Sequence, residues 1–173
     1  MTLPKRRVGK TKLEVTTLGL GGAPMGGFRA TIPETEAVAL TDAGYEAGIR
    51  YFDTSPHYGY GRSELRMGAA LRERPRDSFV LSTKIGRILH AMKPGEKKPA
   101  DFRENTLPGF APVFDYTYDG VMRSLEHSHL RLGLAKIDIA LVHDVDFWTT
   151  KDREVLNQRF KTCLLYTSDA ADE

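Results

Sequence analysis

The sequence predicts an α/β chain: an incomplete (β/α)8 TIM barrel, about its first four βα units, preceded by an N-terminal β-hairpin. Three observations predict it. Short apolar runs without polar alternation recur along the chain, as in strands covered on both faces. Segments with apolar residues at helical spacing separate them, as crossovers between parallel strands require. Four such steps fill about 160 residues, a plausible half of a barrel whose typical size is about 250.

The elements follow in order. Arg6-Arg7-Val8 and Lys12-Leu13-Glu14-Val15 flank Gly9-Lys10, a pair suited to a tight hairpin turn. Thr16 to Leu20 reads as a third β run, ending at Gly21-Gly22. Thr31 with Glu34 three residues on, and Pro33 between them, reads as a capping box opening a helix. Ala37, Leu40 and Gly44 give that helix its inner face, and Gly48 is placed to stop it. Ile49 to Asp53 is a buried strand, Ser63 to Arg74 a helix, and Phe79 to Thr83 the next strand. Val121 to Leu132 is the clearest helix, with Gly133 as its C-cap. Ile137 to Val142 is a continuous apolar strand, and Lys151 to Phe160 begins a further helix. Between Arg87 and Thr117 no helix is expected, and four prolines interrupt the segment. A substrate-covering lid carrying Phe102, Phe110 and Phe114 fits it, and so does a surface excursion.

A doubly wound open sheet is the rival. Gly19-Leu20-Gly21-Gly22-Ala23-Pro24 begins like a dinucleotide fingerprint but puts Pro where the third Gly belongs, and no helix opens directly after it. The barrel is preferred.

Composition removes several function classes. The 173 residues carry 25 Lys+Arg against 23 Asp+Glu, a formal net charge of +2, which leaves no electrostatic footprint for nucleic acid. With 40% hydrophobic and 28% charged residues, the balance is that of a folded, soluble chain. No apolar run approaches the roughly 18 residues that span a bilayer, and the N-terminus lacks the apolar stretch of a secretory signal. The expected partner is a small molecule, the expected location cytoplasmic. Cys163 is the single cysteine, so a disulfide scaffold and a cysteine metal cluster are both excluded. Residues 163–173 read codon by codon like a translated sequencing adapter. The native part is therefore expected to be 1–162, with its gene continuing beyond.

Chemistry gathers at the strand ends. Asp53 ends one strand, Lys84 the next and His143 a third, while Tyr58 follows Asp53 in its loop. In a parallel barrel these ends share the rim where active sites are built. Any one of them has a structural explanation; four converging groups do not.

At these residues the sequence resembles the aldo-keto reductase family, from Arg6 to about Phe160. The matching segments are Thr17-Leu18-Gly19-Leu20-Gly21, Gly48 to Thr54, Tyr58-Gly59-Tyr60-Gly61-Arg62-Ser63-Glu64, Ser82-Thr83-Lys84 and Leu134 to His143. Within the family, Pro56-His57-Tyr58-Gly59 and Asp115 to Glu126 look like the sugar and pyridoxal dehydrogenases. The resemblance implies a catalytic tetrad of Asp53, Tyr58, Lys84 and His143. Tyr58 would exchange a proton with the substrate oxygen during hydride transfer to or from NAD or NADP. Lys84 would ease its ionisation, Asp53 would hold Lys84, and His143 would orient the substrate. A phenol serves as a base near neutrality only when a nearby cation favours its anion. The resemblance also places Gly21, Gly22, Ala23 and Asp53 against the nicotinamide and its ribose. The main phosphate anchor of such barrels follows strands 7 and 8, which this chain does not include. As written, it is expected to be inactive and to bind the dinucleotide weakly or not at all.

Three residues are weaker candidates. His57 adjoins Tyr58, and Phe147 and Trp148 follow His143, where an aromatic wall for a sugar ring and ordinary packing are both open. No metal is expected. A metal-dependent hydrolase using His57, His143 and Asp144 or Asp146 would leave Tyr58 and Lys84 idle, and His127 and His129 are spaced to point apart on a helix. A non-catalytic binding barrel would have no use for a complete tetrad.

Overall fold

Four parallel strands form one sheet in the order β3 (Leu20–Gly21), β4 (Tyr51–Asp53), β5 (Val80–Ile85) and β8 (Ile139–Val142). The structure, a computed structural model, describes residues 3–28, 30–100 and 106–169. Between the strands run α1 (Glu34–Glu46), α2 (Arg62–Leu71) and α3 (Tyr118–Leu132). This is the alternation expected of an incomplete barrel. The expected hairpin precedes it: β1 (Lys5–Arg7) pairs antiparallel with β2 (Glu14–Thr16), and the Thr11 N–H donates to the Val8 carbonyl across Gly9-Lys10.

Met25, Ala37, Phe52, Met67, Leu71, Leu81 and Leu132 form the fully buried centre of the core. Phe52 on β4 meets Phe79 edge to face at 6.0 Å. Arg66, buried on α2, holds the entry to α1: its guanidinium pairs with Glu34 at 2.8 Å and donates to the carbonyls of Met25 and Ile32. Glu64, wholly buried, ties α2 to its neighbours by accepting from Thr83 of β5 at 2.7 Å and Arg131 of α3 at 2.5 Å.

Several expectations are corrected. The helix does not start from a cap at Thr31: α1 begins at Glu34 with Pro33 as its N-cap, a residue whose side chain has no hydrogen-bonding group. Leu40 is exposed, and the inner face of α1 is set by Ala37 and Thr41. Gly48 does end the helix. At φ +98° it lets its own N–H reach the Tyr45 carbonyl and that of Ile49 reach Gly44, a Schellman closure. The third β run is shorter than expected, covering only Leu20–Gly21.

The segment 87–117 is not structureless. β6 (Arg87–Ala91) and β7 (Phe110–Phe114) form an antiparallel hairpin with Arg87 opposite Phe114. Phe102, one of the expected lid aromatics, lies outside the described residues. A short helix α4 (Phe147–Thr150), capped by Asp146, precedes α5 (Arg153–Asp169), which runs through 163–169 of the expected foreign tail. The rest of that tail, 170–173, lies outside the described residues. No described helix is long and apolar enough to cross a membrane.

Candidate active site

Strand register puts the first charged groups together. Asp53 is paired with Ser82 across β4 and β5, and Lys84 lies two residues beyond Ser82 on the same face. The Asp53 carboxylate is shared accordingly: Oδ1 accepts from Ser82 Oγ at 2.7 Å and Oδ2 from Lys84 Nζ at 2.8 Å. Lys84 also donates to the Thr54 carbonyl at 3.0 Å. Burial works against its ammonium, but the hydrogen bond and charge of Asp53 outweigh it, and Tyr58 adds in the same direction. The Lys84 pKa is raised.

Tyr58 is brought over this cation by its loop. The Tyr58 carbonyl accepts from the Ser63 N–H at 3.1 Å at the start of α2. Gly26 and Gly59 let the loop lie directly on the turn after β3: a Cβ on Gly26 would stand 2.4 Å from the Tyr58 carbonyl carbon, and one on Gly59 2.3 Å from the Gly26 oxygen. The result places Lys84 Nζ 4.7 Å from the Tyr58 ring centroid.

His143 arrives from the end of β8, its N–H bound to the Ile85 carbonyl and its carbonyl to the Tyr116 hydroxyl at 2.8 Å. Its ring is 5.8 Å from that of Tyr58 and 5.6 Å from that of His57, nearly perpendicular to both. Burial, then the charges of Arg87, His57 and Lys84, lower its pKa to about 2, so the imidazole is neutral. Ser55 Oγ accepts from the His57 N–H at 3.1 Å and shares a hydrogen bond with His143 Nδ1 at 3.0 Å. His143 Nε2 lies 3.4 Å from Oδ2 of Asp144, a carboxylate that only accepts, which favours the hydrogen on Nε2.

Tyr58 and His143 open into one cavity of about 270 Å³, whose lining includes Ala23, Phe28, His57, Tyr60, Arg87, Thr106 and Asp144. Of the four residues expected to form a tetrad, Tyr58 and His143 line this cavity, while Lys84 and Asp53 are not among its lining residues and join the group through the contact of Lys84 with the Tyr58 ring. Gly21 ends β3 opposite Asp53, and Gly22 follows it with its N–H bound to the Asp53 carbonyl at 2.7 Å. His57 and Ala23 line the cavity, but Phe147 and Trp148 do not: they sit on α4, exposed, with Trp148 at 86%, so of the two readings left open for them the aromatic wall is not formed there. Among the described residues no three His, Cys, Asp or Glu side chains are grouped to hold a metal ion, so the ligand set of the hydrolase alternative is not assembled.

Sequence reasoning missed Ser55 and Ser82, which bond to His143 and Asp53, and Arg87, which lines the cavity and pairs with Asp144. Ser82 stood in the matched Ser82-Thr83-Lys84 segment, and strand periodicity alone would have put it on the face of Lys84.

Comparison with known proteins gives the family. The chain is 47% identical over 156 residues to a pyridoxal 4-dehydrogenase from Microbacterium luteolum, covering 86% of this chain and 45% of that protein. It is 40% identical to a D-threo-aldose 1-dehydrogenase from a Pseudomonas species, over 76% of this chain and 41% of that one. It therefore spans less than half the length of these curated relatives. Among solved structures, the holo form of an aldo-keto reductase from Bacillus halodurans matches with a TM-score of 0.61 at 28% identity, over 80% of this chain and 39% of that chain. Residues 17–170 match the Aldo/keto reductase family. With that match over most of its length, the chain belongs to the aldo-keto reductase family.

Proposed function

We propose that this cavity serves a nicotinamide-linked oxidoreduction of a sugar or similar small hydroxy or carbonyl compound, with Tyr58 as general acid/base. One observation carries the reading: Tyr58 lies over an ammonium, Lys84, that is itself anchored 2.8 Å from Asp53. The names of the relatives, a pyridoxal and an aldose dehydrogenase, support the substrate range.

The residues present fit a nicotinamide and its ribose. A side chain on Gly21 would meet nothing within 4 Å, so the strand end beside Asp53 is open surface, and Ala23 faces the cavity. Gly22 serves packing instead, since a Cβ there would stand 2.4 Å from Ser63 Oγ. Ring and ribose are common to NAD and NADP, and these residues suit both. The bound nicotinamide supplies or takes up the hydride.

The chain's own groups handle the proton. In the oxidising direction Tyr58 removes the proton of the substrate hydroxyl, and the Lys84 ammonium stabilises the phenolate that results. In reduction the Tyr58 O–H gives its proton to the carbonyl oxygen. The Nε2–H of His143 donates to that same oxygen and fixes its direction. Because the imidazole is neutral, it orients the oxygen without competing as an acid. Asp53 holds Lys84 in position while offsetting part of its field.

The 173-residue chain supplies the proton-transfer groups and is expected to bind dinucleotide weakly, because phosphate sites of such barrels follow strands 7 and 8. Micromolar binding in a fluorescence titration would contradict this. The catalytic reading is tested by Tyr58→Phe in a polypeptide extended to the length of its relatives. Turnover should fall by roughly 10³-fold or more while cofactor affinity stays within about twofold. Near-normal turnover would remove Tyr58 from the mechanism.

A further inference from the structure

Ser55, in the loop after β4, touches both of the groups that Proposed function sets around the reacting oxygen. It is wholly buried, two residues beyond Asp53 and three before Tyr58. Its carbonyl accepts from the Tyr58 N–H at 3.2 Å, which closes the turn that presents the phenol. Its hydroxyl oxygen lies 3.0 Å from His143 Nδ1, 88 residues away at the end of β8, and accepts from the His57 N–H at 3.1 Å. Because that last donor belongs to the backbone two residues on, it fixes where Oγ stands. Any residue could supply the carbonyl contact. Only a hydroxyl supplies the one to His143.

The hydroxyl has one proton to place, and among the described residues the acceptor it reaches is His143 Nδ1. With the ring hydrogen on Nδ1 instead, Oγ would accept twice and its own proton would meet nothing, a costly arrangement in a fully buried site. The accounting favours Ser55 as the donor and Nε2 as the nitrogen that carries the hydrogen. Nε2 itself makes no hydrogen bond among the described residues; Asp144 stands 3.4 Å away and is engaged by Arg87. The backbone of His143 is fixed from both sides, by the Ile85 carbonyl and the Tyr116 hydroxyl. The rings of Tyr58 and His57, 5.8 Å and 5.6 Å away, confine the imidazole. Packing, however, does not tell the nitrogen edge of such a ring from its carbon edge, whereas a hydrogen bond does.

Resting on the oxidoreductase reading above, we propose that Ser55 is a positioning residue: its hydroxyl donates to His143 Nδ1, keeps the hydrogen on Nε2, and sets the orienting imidazole in register with Tyr58. Without that bond the ring can flip, which exchanges Nε2 with Cε1 and withdraws the donor from the substrate oxygen. Ser55 touches no substrate and acts through His143. Its carbonyl holds the turn of Tyr58 and its hydroxyl holds His143, so the two groups that meet the reacting oxygen are referred to one point of the chain.

The test uses the polypeptide extended to the length of its relatives, with isotope-labelled histidine for nitrogen NMR and aldoses as substrates. Wild type should show the hydrogen of His143 on Nε2 and a bare, hydrogen-bonded Nδ1. In Ser55→Ala the Nδ1 resonance should move to that of an unbonded nitrogen. The same variant should lose roughly 10–100-fold in kcat/KM, the range for an imidazole deprived of the partner of its second nitrogen, with cofactor affinity within about twofold. The decisive comparison pairs it with His143→Ala. A residue that acts only through the imidazole adds little once the imidazole is gone, so the double variant should lie within about threefold of His143→Ala. Losses that multiply would overturn the proposal, since a merely structural serine costs the same in both backgrounds. Hydrogen on Nδ1 in wild type would also overturn it, and needs no variant to be seen. Ser55→Cys, with a weak donor in a side chain of similar shape, should lose activity in the same way and keeps the kinetic test open if the alanine variant misfolds. A bonded Nδ1 that shifts in Ser55→Ala, without turnover by wild type, refutes the oxidoreductase reading alone. Turnover with losses that multiply refutes the role of Ser55 alone.

Discussion

The two sides of the cavity bury a basic group each, with opposite outcomes. On the side of β4 and β5, burial presses against the charge of Lys84, but Asp53 at 2.8 Å reverses it and the pKa ends above its ordinary 10.5. On the side of β8, burial presses against His143, and its charged neighbours Arg87 and Lys84 press the same way, so the pKa falls to about 2. The carboxylate nearest to it, Asp144, is held by Arg87. Burial leads the shift of His143, whereas for Lys84 the adjacent carboxylate reverses it. The site therefore keeps one fixed cation under the phenol and one neutral donor beside it.

The sharpest way to break this contrast is to remove the cation. Lys84→Met should lower kcat by about 10²–10⁴-fold, the range for an acid–base step, leaving cofactor binding largely intact. A loss below tenfold would mean that the ammonium does not serve Tyr58.

The neutral side is read by acid stability. With a folded pKa of about 2 against an ordinary 6.5, His143 takes up a proton in the unfolded chain that the folded chain refuses anywhere between those values. Its contribution to stability is complete above about pH 6.5 and is lost as pH falls, by at most about 1.4 kcal/mol per unit. His143→Gln should flatten that slope in denaturant midpoints measured between about pH 5 and pH 7. An unchanged slope would show that the imidazole is not held neutral.

The smallest expected effect sharpens the charged side. In Asp53→Asn the burial of Lys84 persists while its main support is gone, so its pKa should drop. A raised pKa means that the charge persists below it and is lost as pH rises through it. The alkaline limb of kcat/KM should thus move to lower pH in the variant, with roughly tenfold or smaller loss at neutrality. A limb that stays in place would make Asp53 irrelevant to the charge of Lys84.

Much of this site was legible because chemistry sat at the ends of apolar runs. Asp53, Lys84 and His143 each close such a run, and parallel strands put such ends on one rim. What holds them was less legible. Ser55 matters through His143, 88 residues away, a contact that no local pattern encodes. Arg87 follows Gly86 at the point where β5 gives way to a hairpin, and the pairing of β6 with β7 spans a long connection rich in proline. Asp144 drew attention as a metal ligand, whereas the structure gives it to Arg87. Burial was misread where the neighbour decides it: Leu141 and Val142 continue an apolar run yet are each 39% exposed, because β8 is the edge strand of the described sheet. Leu40 failed for a related reason, α1 being turned so that Ala37 and Thr41 face inward.

The claim that Tyr58 and Lys84 work as one unit is tested most directly by comparing Tyr58→Phe, Lys84→Met and the double variant in kcat/KM. Groups acting together are strongly non-additive, so the double variant should fall within about threefold of the worse single one. Losses that multiply, with the double variant carrying the full product of both, would contradict the account.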